Sequence, residues 1–229
     1  MSMRRRPARR RMLRLACVAP FAVATGCVSI GSETPMIVSY ELRDLGEPKP
    51  PAARPLDRVV LVAWSAASVF YDSTSIAYSR TPGALANYQF AAWSERPAEQ
   101  IGRLFLRRLA GTGVFRDVAP VSGIVQGDWL LELQLEEMLH DDAAPPGVAR
   151  VAVFARIVDR SARSTIDTRH FREEEPLQVE SAAGAAKAFD AAVTRLLDEA
   201  VQWAVDRASG ARSQAARPSA TGAARAAVR

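Results

Sequence analysis

Asp128-Trp129-Leu130-Leu131-Glu132-Leu133-Gln134-Leu135-Glu136-Glu137-Met138 is the stretch that decides the fold class of this 229-residue chain. Leu131, Leu133 and Leu135 fall on one side of an extended backbone, and Glu132, Gln134 and Glu136 on the other. That period of two denotes a strand with one buried face. Such a strand needs neighbours in a sheet and a cover over its apolar side. Neighbours are expected at residues 36–42, 58–63, 114–118, 148–158 and 165–171. Residues 76–80 and 87–91 flank the turn signal Thr81-Pro82-Gly83 and predict a hairpin, and Pro145-Pro146-Gly147 marks the turn after the quoted strand.

Two amphipathic helices supply the cover. Ser94 is expected to cap the first, with Pro97 in its first turn, where a missing N–H is harmless. Ile101, Leu104, Phe105 and Leu109 recur at helical spacing opposite Gln100, Arg103 and Arg107, and Gly111 and Gly113 end the pattern. The second helix, over residues 182–207, carries the stripe Phe189, Val193, Leu196, Leu197, Ala200 and Ala204. Together these elements predict an α/β layered sandwich with a mixed sheet between two principal helices.

The net charge of +5 would suggest nucleic acid if it were spread through the fold. Seven arginines (Arg4, Arg5, Arg6, Arg9, Arg10, Arg11, Arg14) precede Cys27 with no acidic residue among them. From Cys27 onward, therefore, 23 of the 30 basic residues face all 25 acidic ones, about −2. Nucleic acid is excluded as a partner on that distribution. The arginine-rich start, an apolar run over residues 15–24 too short to span a bilayer, and small residues before Cys27 together read as an export signal over residues 1–26.

Val23-Ala24-Thr25-Gly26-Cys27 resembles the lipobox of bacterial lipoproteins, although Ala24 stands where leucine is usual. The resemblance implies that the Cys27 thiol is linked to diacylglycerol and becomes the mature N-terminus. Cys17 would leave with the leader, so the mature chain could form no disulfide. Val28, where an aspartate would resemble an inner-membrane retention signal, favours sorting to the outer membrane. Arg9-Arg10-Arg11 also resembles a twin-arginine signal, which leaves the export route open. Residues 27–35 read as a tether, 36–209 as one domain, and 210–229, rich in Ala, Ser, Arg and Gly, as a disordered tail.

Catalytic and cofactor signatures are missing: no H-E-x-x-H, G-x-S-x-G, P-loop or dinucleotide glycine pattern occurs, so no cofactor, metal or enzymatic activity is expected. His140-Asp141-Asp142 reads as solvated loop charge, and His170 as an ordinary strand-surface residue. The distinctive block is Val69-Phe70-Tyr71-Asp72-Ser73 through Ile76, Tyr78 and Arg80 to Tyr88, Phe90 and Trp93. Aromatics are sparse elsewhere. Either Phe70, Tyr78, Phe90 and Trp93 pack beneath the first helix, or the rings form a contact rim.

With Tyr40-Glu41-Leu42, the strand over residues 59–63, Pro97, Leu109 and Gly113-Val114-Phe115, this block resembles the ABC-type transport auxiliary lipoproteins. That family includes the paraquat-inducible protein C-like lipoproteins that accompany MCE-domain lipid transporters. The resemblance runs from Tyr40 to about Arg207. It implies an α/β fold like that of anticodon-binding-type domains and no catalytic residues. It further implies an accessory of an MCE-type ABC transporter at the periplasmic face of the outer membrane, aiding phospholipid or lipid transport between the two membranes. The expected partners are a periplasmic MCE-domain protein, contacted through Tyr71 and Tyr88, and the membrane through the N-terminal lipid; a homo-oligomer is compatible with these features. The alternative reading is an outer-membrane lipoprotein that binds and regulates a cell-wall enzyme, with a hydrolase of dispersed residues a more distant third.

Acylation is directly testable. Labelled palmitate should mark the wild type, and Cys27→Ser should lose the label; label retained by that variant would remove the assignment.

Overall fold

The structure is a computed structural model that describes residues 36–215 apart from 49 and 123. The leader, Cys27, the tether and residues 216–229 lie outside the described residues. The elements follow one another as β1 (Val38–Tyr40), β2 (Leu56–Ala66), β3 (Ser75–Ser79), β4 (Ala86–Trp93), α1 (Pro97–Gly111), β5 (Phe115–Pro120), β6 (Trp129–Asp141), β7 (Val148–Asp159), β8 (Ser164–Pro176) and α2 (Ala182–Ala215). No helix among them is long and apolar enough to cross a membrane.

β6 is the hub of an eight-stranded mixed sheet. β7 pairs antiparallel with it along its whole length, so β2 and β3 share the opposite edge. β2 runs parallel beside its first half, Val60 opposite Trp129 through Ala66 opposite Leu135, and β3 meets its far end at His140 and Asp141. β5 flanks β2, β8 flanks β7, and the β3–β4 hairpin carries β1 at its edge. Gly83, at φ +81°, makes the hairpin turn that the sequence signalled.

Leu131, Leu133 and Leu135 are buried, as the alternation demands, beside Val153, Ala155 and Ile157 of β7. A bulge between Leu135 and Glu137 then shifts the phase of β6. Beyond it the even-numbered Met138 and His140 are the inward residues, paired with Val151 and Ala149 of the core.

Both helices cover this one face, whereas the sequence reading set the sheet between them. Ile101, Phe105 and Leu109 of α1 join Phe189, Val193, Leu196 and Leu197 of α2 in a single core cluster. The other face is taken up by polar pairs rather than an apolar stripe: ion pairs join Glu132 with Arg156, Arg172 with Glu137, and Arg150 with Glu174, and His170 Nδ1 lies 3.0 Å from Glu136 Oε2. His170 is thus the strand-surface residue expected. Gly102 lets α1 approach closely, since a Cβ there would lie 2.4 Å from the Trp64 ring. Alanines 185, 188, 192, 200 and 204 do the same for α2.

Two helix ends differ from expectation. α1 begins at Pro97 with Arg96, not Ser94, at the cap position and no side-chain capping bond; the Ser94 N–H donates to the Tyr40 carbonyl at 2.7 Å. α2 continues to Ala215, past the point at which composition ended it; alanine has the highest helix propensity and Arg212 is likewise a good helix former.

Phe105 and Leu196 are both essentially inaccessible. Phe105→Ala or Leu196→Ala should each cost roughly 2 to 5 kcal/mol in denaturant unfolding; unchanged midpoints in both would show that these stripes do not form the core.

Candidate functional site

Between Tyr40 and Leu56 the chain crosses the outside of the two helices as a strap, and its backbone donors are met by helix side chains. The Leu42 N–H donates to Gln100 Oε1 at 2.8 Å. The Arg43 N–H and Nε donate to the two oxygens of Asp190 at 2.9 and 3.1 Å, and the Leu45 N–H donates to Thr194 Oγ1 at 2.9 Å. Arg108 of α1 bridges Asp44 of the strap and Asp198 of α2, and the Ala52 N–H reaches the Thr112 carbonyl at 2.7 Å. A buried polar group without a partner is costly, so Gln100 and Asp190 specify where the strap lies. Burial raises the Asp190 carboxyl above its ordinary value, opposed by the bonds from Arg43.

Sequence reasoning put Gln100 on the solvent face and overlooked Asp190. Both are buried. The available signal was position: Gln100 lies one turn before Leu104, and Asp190 falls between Ala186 and Val193 on the apolar arc of α2. Under the strap opens a groove of about 760 Å³, lined by Leu104, Val114, Val201 and Val205 with Arg107 and Gln202. Its size is that of a small-molecule or peptide site.

A second polar constellation closes the far end of the sheet. His140, read as solvated loop charge, is completely buried, because the bulge in β6 turns it inward and the strand runs on to Asp141. Tyr88 Oη lies 2.8 Å from His140 Nδ1, with the two rings stacked at 6.1 Å, and Tyr78 sits 5.1 Å from Tyr88. Asp142, also shielded, accepts from Arg80 Nε at 2.8 Å. Burial first, and the nearby Asp142 charge second, push the Tyr88 hydroxyl up to about 12.

The aromatic block therefore divides. Trp93 is buried against Phe189 of α2 at 5.6 Å, and Phe90 is half exposed. Tyr71 is half-buried in the turn after β2, edge-on to Phe70 at 5.4 Å; its hydroxyl makes no hydrogen bond among the described residues. Burial and then Glu137 raise its pKa. Tyr71 and Tyr88 thus have different surroundings: the hydroxyl of one has no hydrogen bond among the described residues, and that of the other is engaged by His140. Among the described residues no group of three or more His, Cys, Asp or Glu is placed to hold a metal.

A family model described as "ABC-type transport auxiliary lipoprotein component" matches residues 40–201. Among solved structures, a protein from Xanthomonas campestris assigned to DUF330 is 23% identical, with 77% of this chain and 99% of that one covered, at a TM-score of 0.67. Another, described as an uncharacterized protein, is 11% identical over 72% and 98% of the two chains, at 0.54. At these identities the likeness is one of fold. A search of the curated proteins finds no match.

The Tyr88–His140 bond yields a stability prediction. Tyr88→Phe leaves a buried imidazole nitrogen unpaired and should cost about 1 to 3 kcal/mol at neutral pH. Because the folded-state pKa of Tyr88 is raised from 10.0 to about 12, the stability gained by keeping it protonated is complete below pH 10 and is lost as the pH rises towards 12. Melting curves across that window should fall more steeply for the wild type than for Tyr88→Phe. Parallel curves would contradict the assignment.

Proposed function

Because the chain belongs to the family of ABC-type transport auxiliary lipoprotein components, we propose that it is a non-catalytic adaptor of an MCE-type ABC transporter. In this reading acylated Cys27 holds it at the periplasmic face of the outer membrane. The folded domain engages the transporter's periplasmic MCE-domain protein, and phospholipid or a related lipid passes between the two membranes with its help. Family membership by itself makes the chain an envelope lipoprotein auxiliary to transport. The MCE partner, the outer membrane and the lipid cargo are the proposed refinement.

The extent of the family match carries the reading. Residues 40–201 include the strap, the aromatic block, α1, every strand from β2 to β8 and α2 as far as Val201. Tyr71 and Tyr88 are the proposed contact. Tyr71 combines a packed ring with a hydroxyl that no hydrogen bond among the described residues engages, while Tyr88 offers its ring and keeps its hydroxyl on His140.

Loss of one such anchor costs about 2 kcal/mol, or roughly thirtyfold in affinity. Tyr71→Ala should therefore weaken quantitative copurification of the MCE protein by about that factor while the melting temperature stays nearly constant. Failure of the wild type to retain any MCE protein would contradict the proposal and favour a regulator of a cell-wall enzyme; unfolding of Tyr71→Ala would remove only that contact residue.

A further inference from the structure

The outer face of the sheet is ion-paired over β6, β7 and β8. Its opposite corner is not. There Met36, Ile37 and Val38 are 82%, 60% and 46% exposed, and Phe90 is 51% exposed. β1 runs parallel to β4 with Val38 opposite Ala91 and Tyr40 opposite Trp93. Ala91 and Trp93 point into the core, so Phe90, one residue out of phase, points outward. Continuing the register by one residue sets Ile37 beside Phe90 on that outer face. Val38, opposite Ala91, lies with Met36 on the other side of the same short edge strand, so the four exposed apolar side chains wrap the edge where the described residues begin.

Chain length says what lies near this corner. Met36 lies nine positions after Cys27, a reach of at most about 30 Å when fully extended. An acyl group on Cys27 therefore confines the corner to a shell of that depth above the bilayer, where its effective concentration against lipid is high. β1 has only three residues, too short an edge for an added strand from a protein partner.

We propose that the corner formed by Met36, Ile37, Val38 and Phe90 is a membrane-contact surface, which seats the domain on the bilayer that holds its lipid anchor. The charged face of β6 to β8 then stays in water. The proposal rests on acylation at Cys27 and adds an orientation to it: the domain is docked rather than free on its tether. One acyl-anchored N-terminus plus a small apolar contact is the kind of two-part attachment that membranes hold firmly.

The experiment uses the mature acylated protein on phosphatidylethanolamine and phosphatidylglycerol vesicles doped with doxyl-labelled lipid. An environment-sensitive fluorophore is placed through Ile37→Cys, Phe90→Cys or, as the control on the exposed edge strand, Thr165→Cys. Probes at 37 and 90 should be quenched at least twofold, and the probe at 165 should change little. Phe90→Glu should halve the quenching at 37 without altering flotation or melting. A protein that floats with the vesicles but shows no quenching at 37 and 90 overturns the contact and leaves acylation standing. A protein that fails to float overturns both. Probes shielded only when the purified MCE protein is added would assign the corner to a protein partner and also overturn the proposal.

Discussion

Burial of the inner face of β6 is the constraint on which the rest of the molecule depends. Leu131, Leu133, Leu135 and, past the bulge, Met138 must all be kept from water. Each fully buried apolar side chain contributes about 1.5 to 3 kcal/mol relative to exposure. β2, β3 and β7 use both edges of the strand, so the cover has to come from above one face. α1 and α2 lie together there because the opposite face is committed to charge. The alanines of α2 and Gly102 of α1 allow both helices close enough to exclude water, and side chains then lock the strap over their outer surface.

Two buried polar sets give this apolar arrangement direction. Gln100 and Asp190 take their donors from one point in the strap, the Leu42 N–H and the Arg43 N–H and guanidinium, so they fix its register across the helices. Tyr88 and His140 fasten the β3–β4 hairpin to the far end of β6. The turn that carries Tyr71 is held by the Ala67 N–H on the Leu135 carbonyl, and the β1 corner by its pairing with β4. The candidate contact surfaces are consequently carried by elements tied to the core.

Periodic elements were legible in the sequence because their signal is local. The leucine alternation of β6, the stripes of both helices and the Pro-Gly turns lie close to where they were expected. Gln100, Asp190 and His140 were not, and for one shared reason: each is polar, and composition assigns polar residues to the surface unless a partner is known. Their partners lie 58, 147 and 52 residues away in sequence. The bulge in β6 could not be read either, since a one-residue change of phase looks like the end of an alternating pattern. Sharing of one sheet face by both helices depends on ion pairs between strands, such as Glu132 with Arg156, that no single segment reveals. Ser94 illustrates the converse case: a good local capping signal goes unused, because the helix starts two residues later, after Arg96.

An adaptor has to present a folded surface to its transporter while its lipid stays in the membrane. Site-specific photo-crosslinking in living cells tests that claim most directly, with the reactive group at position 70 in the turn beside Tyr71 and, separately, at His170 on the ion-paired face. The account predicts an adduct with the periplasmic MCE-domain component from position 70 and none from position 170. An adduct from position 70 with a cell-wall synthase instead, or equal adducts from both faces, would contradict it.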